Sequence, residues 1–169
     1  MDRSTLQIEK DCSKLLKNGK STHEFTLELC ECLIDQYLRW KKANGKKRDI
    51  AQSIALIFTA ITPVLLLIPL SNEYRDLLDV IAAAAAAMAT IASGLLVING
   101  WRENYIRYGY TWHTLQIERN RYLTHASEDY SENEPEEAAK KFAGRIEQIV
   151  MAEVSDWRAE MQRIHQQKH

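Results

Sequence analysis

The stretch that decides the fold is Ile50–Leu70, IAQSIALIFTAITPVLLLIPL, 21 consecutive positions without a charged side chain. As a helix rising about 1.5 Å per residue it extends roughly 31 Å, the hydrocarbon thickness of a bilayer. Val80–Gly100, VIAAAAAAMATIASGLLVING, is a second uncharged run of the same length. One central Lys or Asp in such a run costs about 3 kcal/mol on insertion, so two runs without any are informative. The first is rich in Ile and Leu and is expected to insert unaided. The second contains six alanines, Ala82 to Ala87, and alanine contributes little to insertion. Taken alone, it also suits the buried core helix of a soluble bundle; pairing with the first run favours the membrane.

Working outward, the link Ser71–Asp79 is short and is expected to join antiparallel neighbours. Pro69 is expected to end the first span. Pro63 should kink it, or be compensated by packing and Thr59. Arg39, Lys41, Lys42, Lys46, Lys47 and Arg48 precede the first span, and Arg102 and Arg107 follow the second. The link carries Arg75 among Glu73, Asp76 and Asp79. This bias predicts both termini in the cytoplasm, with Trp40 and Trp101 near the inner interface. The formal net charge of -1 hides this segregation and removes any whole-chain polyanion-binding argument.

Outside the spans the apolar residues recur at three and four, the helical period. Ser21-Thr22-His23-Glu24 reads as a helix start with a hydroxyl cap, ahead of Phe25, Leu29, Leu33 and Tyr37. A loosening is expected at Asn44-Gly45. Trp101, Tyr105, Tyr108, Trp112, Leu115 and Tyr122 continue the second span as a further helix, bent at Asn99-Gly100. After an acidic break with turn residues Ser127, Ser131, Asn133 and Pro135, Pro135-Glu136-Glu137 suits a helix first turn. Phe142, Ile146, Ile149, Val150, Trp157, Met161 and Ile164 form the final stripe. No segment reads as a strand. The expected fold is all-α: a two-helix transmembrane hairpin and a cytoplasmic antiparallel helical bundle. Its parts are cytoplasmic amphipathic helices over 1–49, the hairpin over 50–100 (spans about 50–70 and 80–100), and a cytoplasmic helical hairpin over 101–169.

Catalytic chemistry is not evident. Cys12, Cys30 and Cys32 make an odd, irregular set that argues against a disulfide framework and fits a reducing compartment. Residues 1–20 lack the apolar centre of a secretory signal. His165 and His169 have metal-compatible i,i+4 spacing but sit where a helix end frays, so no metal and no cofactor are expected. No phosphate loop, nucleophile elbow or calcium loop is present.

What remains is the polar content of the spans. Two helices cannot enclose a water path, so transport requires a homo-oligomer. Gln52, Ala55, Thr59 and Thr62 form one weakly polar stripe, and Ala83, Ala86, Thr90, Ser93 and Val97 a stripe of small residues on which helices can approach closely. Gln52, Thr59, Thr62, Thr90, Ser93 and Val97 are therefore the candidates for pore lining or subunit contact. Lys41, Lys42, Lys46, Lys47 and Arg48 are candidates for contact with anionic lipid or an anionic ligand, although topology alone accounts for them.

The order of these features resembles the SLATT family. The resemblance rests on Trp40-Lys41-Lys42-Ala43-Asn44-Gly45-Lys46-Lys47, then Thr62-Pro63-Val64, a small-residue span, and Trp101, Tyr105, Trp112, Leu115, Glu118 and Tyr122. Ile146, Glu153 and Trp157 follow in the last helix. It covers roughly Phe25 to Met161. The SLATT family comprises two-transmembrane effector domains found beside nucleotide-sensing or nucleotidyltransferase partners in bacterial conflict systems. The resemblance implies a pore-forming antiphage effector of the inner membrane, opened by a nucleotide or oligonucleotide signal from a partner synthase or sensor. Among closed rings a tetramer is favoured. A non-conducting membrane scaffold that recruits a partner through its helices is the alternative, and a nucleotide sensor using Lys41–Arg48 a weaker third.

Overall fold

The computed structural model describes residues 21–67, 72–130 and 134–166. These form four α-helices, α1 (Thr22–Leu67), α2 (Asn72–Asn99), α3 (Trp101–Leu123) and α4 (Pro135–Gln166), with a 3-10 turn at Glu128–Tyr130. Among the described residues there is no strand. The chain divides into two compact units: the described parts of Met1–Trp40 and Arg107–His169, and Lys41–Ile106. The second unit thus takes in the basic stretch 41–49 and residues 101–106, besides both uncharged runs.

The helix ends follow their local chemistry. Ser21 caps α1, its Oγ accepting from the Glu24 amide at 3.4 Å. Pro135 occupies the first position of α4, with Glu136 and Glu137 in the first turn where anions are favoured. At the end of α3, His125 takes the left-handed conformation (φ 49°). The Ala126 amide then reaches Arg121 O at 3.1 Å, and the His125 amide reaches Tyr122 O at 3.4 Å, which is the Schellman closure. His125 Nδ1 lies 2.8 Å from Tyr130 O, so a side-chain bond secures a conformation that usually falls to glycine.

Three expectations are corrected. Helix α1 runs unbroken through Asn44-Gly45, and a partner ring, described below, explains the glycine. Helix α2 begins at Asn72, so most of the expected link is helical; Asp76 falls near its start, on the side the helix dipole favours. Pro63 lies inside α1, but Thr59 does not compensate its missing amide. The Thr59 hydroxyl donates to Ala55 O at 2.7 Å, one turn below the carbonyl that proline frees. Pro69, Cys12 and His169 lie outside the described residues, as do the side chains of Met161, Ile164 and His165. Between α2 and α3, Gly100 sits at φ 55°, which is the expected bend at Asn99-Gly100.

The first unit owns the conventional core. Cys30, Leu33, Tyr37, Leu115, Tyr122, Tyr130, Phe142 and Ile146 are buried together. On α1 the buried line is Thr26, Cys30, Leu33 and Tyr37, while Phe25 and Leu29 are only half-buried. The face is therefore turned by one residue from the purely apolar reading. Thr26 tolerates burial because its hydroxyl donates to Thr22 O at 2.8 Å. Tyr122 and Phe142 stack at 4.1 Å and 10°, with Tyr130 edge-on to both. Cys30 is a buried free thiol.

Burial pushes the Cys30 thiol up to about 12. Near neutral pH the nucleophilic thiolate is therefore scarce in the folded chain. Maleimide should label Cys30 slowly in the native protein and rapidly after denaturation, read by mass spectrometry; equal rates would mean this core is open. Replacing Phe142 by alanine should cost about 3–5 kcal/mol of unfolding free energy, seen as a lowered thermal midpoint in detergent solution.

Candidate functional site

The second unit contains the residues singled out from the sequence, and its apolar surface is its most unusual property. Leu56, Leu66, Leu67, Val80, Val97 and Ile98 are all exposed. Within the most apolar 18-residue window only 11% of α1 and 22% of the second segment is buried. Among the described residues of this unit the buried positions are all small: Gly45, Ala51 and Ala55 on α1, and Ala82, Ala85 and Ala92 on α2. Small side chains thus face inward and large ones outward, the reverse of a water-soluble core. Both helices are long and apolar enough to cross a membrane.

Of the candidate lining residues, Gln52, Thr59, Thr90, Ser93 and Val97 are exposed and Thr62 is half-buried. Their hydroxyls turn back onto their own helices. Thr62 donates to Phe58 O at 2.8 Å, Thr90 to Ala86 O at 3.0 Å and Ser93 to Ala89 O at 2.8 Å, as Thr59 does to Ala55 O. Each hydroxyl proton therefore has an acceptor without any neighbouring helix, which removes most of the penalty of leaving water. The oxygens keep lone pairs to offer outward. The buried face of α2 inside the chain is Ala82, Ala85 and Ala92, while the stripe Ala83, Ala86, Thr90, Ser93 and Val97 lies at the surface.

The basic stretch is brought partly together. Arg48 Cζ lies 4.4 Å and Lys41 Nζ 5.5 Å from the centre of the Tyr105 ring. Between them, a Cβ on Gly45 would meet that ring at 3.1 Å. Lys41, Gly45 and Arg48 stand at i, i+4 and i+7 on one helix face. Glycine thus lets the ring lie against the backbone while two cations close on it, each such contact contributing about 0.5–1 kcal/mol when exposed. Arg48 is also paired with Asp49 at 2.6 Å. Lys42, Lys46 and Lys47 are exposed.

Next to this cluster lies an apolar groove of about 300 Å³. Ile50, Ala51 and Ile54 line it from α1, and Met88, Ile91, Ala92 and Leu95 from α2. Lys47 is the single charged residue of the lining and Trp101 the single aromatic. Sequence reasoning missed the Tyr105 seat and this groove. The signal for the first was present: a glycine inside a helical repeat with cations at i−4 and i+3.

In the first unit a buried carboxylate, Glu118, and a half-buried one, Glu153, are held by neighbours. Tyr130 Oη donates to Glu118 Oε1 at 2.5 Å, and Arg121 approaches Glu118 Oε2 at 3.5 Å. Arg107 Nε lies 2.9 Å from Glu153 Oε1, and Tyr37 Oη donates to Glu153 Oε2 at 3.5 Å. Burial holds the Glu153 carboxyl above its ordinary range even though Arg107 pulls it down. A shallow polar cleft of about 340 Å³ includes Glu31, Asp35 and Arg119, but there Arg119 and Glu31 neutralise each other at 2.6 Å. Among the described residues no group of three His, Cys, Asp or Glu side chains is placed to hold a metal.

A folded carboxyl with a raised pKa binds its proton more tightly than the unfolded chain does. Stability is then greatest below the ordinary value of 4.5 and is lost as pH rises through the folded value. Glu153→Gln should flatten the stability profile just above pH 4.5, measured by urea unfolding across pH. An unchanged slope would assign that dependence to other groups.

No curated protein and no solved structure matches the chain. A family model does match, over residues 34–138, well over half of the 169. The chain belongs to the DUF4231 family, which is described as a protein of unknown function. The matched region holds α2, the part of α1 from Ile34 onward, the Tyr105 seat and the groove, and stops near the start of α4.

Proposed function

We propose that this DUF4231 chain is a membrane-spanning, homo-oligomeric pore-forming effector, with α2 and the apolar part of α1 crossing the bilayer as a hairpin. The observation that carries it is the inside-out second unit, in which alanines are buried while Ile, Leu and Val face outward. Such a surface is costly in water at about 25 cal/mol per Å² of apolar area, and costs little in lipid. Two contacts support the hairpin. Residues 41–48 meet Tyr105, and further along α1, residues 50–54 share groove walls with residues 88–95. Pairing in that order is the order of oppositely directed helices. The lysines and arginines before the first span place both termini on the cytoplasmic side by charge bias.

Oligomerisation follows from what one chain lacks. The exposed stripe Thr90, Ser93 and Val97, and the exposed Gln52 and Thr59, supply small or hydrogen-bonding surface that neighbouring subunits can cover or water can wet. A closed ring, with a tetramer favoured, turns such stripes into a channel lining without charge rings. The resemblance to the SLATT family then supplies the setting: a bacterial inner membrane, an antiphage role, and opening on a nucleotide or oligonucleotide signal from a partner synthase or sensor.

Purified protein in liposomes should release entrapped ions, alone or on addition of nucleotide ligands, and expression in cells without its regulator should lower membrane potential. Leucine at Thr90 and Ser93 together, or at Gln52 and Thr59 together, should reduce flux at least several-fold with insertion retained. A chain that inserts yet conducts under no ligand condition is the non-conducting scaffold. A chain that is folded and soluble without detergent overturns the membrane reading itself.

A further inference from the structure

The groove flanked by Lys47 and Trp101 has no part in conduction as proposed, yet its chemistry is specific. Its walls are aliphatic side chains from two helices, with a floor kept low by the alanines at 51 and 92, both less than 10% exposed. At about 300 Å³ it lies at the lower end of ligand-site volumes, room for part of one alkyl chain rather than for a folded segment. One lysine and one indole complete it. An indole prefers the level where lipid headgroups begin. The two neighbouring cations are otherwise engaged: Lys41 and Arg48 lie on Tyr105, and Arg48 holds Asp49. Lys47 is exposed and carries the positive charge of the groove itself.

We propose that this groove is a binding site for one anionic glycerophospholipid, an acyl chain lying against Ile54 and Ile91 and the phosphate paired with Lys47. Charge complementarity selects this occupant. A zwitterionic lipid offers the same chain but a headgroup of no net charge, and a peptide offers no alkyl chain to fill an aliphatic slot. Bound at this level, the lipid braces α1 and α2 against each other just below the Tyr105 seat, so its occupancy bears on how those helices move. The proposal rests on the membrane reading given above, and its test separates the two.

The full-length chain is reconstituted into phosphatidylcholine vesicles in which part of the lipid is replaced by brominated phosphatidylglycerol or, in parallel, brominated phosphatidylcholine at equal mole fraction. Bromine on the acyl chain quenches nearby tryptophan, and the Trp101→Phe protein identifies the share due to Trp101. The expected result is a preference for phosphatidylglycerol at Trp101 of about fivefold, the factor one lysine near an anionic surface contributes. It should fall to near one in Lys47→Gln and survive in Lys47→Arg. Equal quenching by both lipids, or a preference that Lys47→Gln leaves intact, overturns the site while leaving insertion standing. A preference abolished by inorganic phosphate at matched ionic strength assigns the lysine to free phosphate and also overturns it. Absence of quenching by either lipid, with failure to float with the vesicles, is failure of the membrane reading instead.

Discussion

The hydrogen-bonding groups of a helix backbone are satisfied within the helix itself, so the unmet demand of two long apolar helices is for apolar surroundings. Everything distinctive in the second unit answers that constraint. Threonine and serine donate to carbonyls one turn back, which prepares them to leave water at little cost. Alanines mark the inner seam, where small side chains let backbones approach closely and gain dispersion contacts. Ile, Leu and Val are consequently displaced outward.

The first unit obeys the ordinary rules of water. Its core is aromatic, stacked through Tyr122 and Phe142, and the carboxylates of Glu118 and Glu153 are each met by a hydroxyl and a guanidinium. Glu153 shows how that balance is struck. Arg107 attracts its charged form, yet desolvation outweighs the attraction and the proton is held more tightly. The two units are thus packed by different rules, and helix α1 contributes residues to both.

The second unit also holds a cluster of cations and aromatic rings. Tyr105 rests on Gly45 and is closed over by Lys41 and Arg48; Lys47 and Trp101 flank an aliphatic groove. Cations with long apolar stems and rings with one polar edge are the side chains that tolerate both sides of a boundary. The DUF4231 match covers this region, α2 and the apolar part of α1, while the start of α1 and most of α4 fall outside the matched range.

Much of this was legible from periodicity and charge alone. Helical content, the uncharged runs, the Ser21 cap, the Pro135 start and the bend at Gly100 are local properties, dictated by residues a few positions apart. The errors share one cause. Asn44-Gly45 reads as a break because glycine is unfavourable in a helix, until the Tyr105 ring, 60 positions away, accounts for its missing Cβ. On α1 the buried line keeps Leu33 and Tyr37 but takes Thr26 and Cys30 in place of Phe25 and Leu29, since apolar spacing marks a broad stripe and only the neighbouring helix chooses its centre. Thr26, Cys30, Ala82 and Ala92 are buried because close packing selects for size as well as polarity. The sequence by itself therefore determined which segments are helical and which shun water, as both are sums over local residues. Tertiary structure alone decided which side chains meet, because a contact between distant positions depends on where another helix lies.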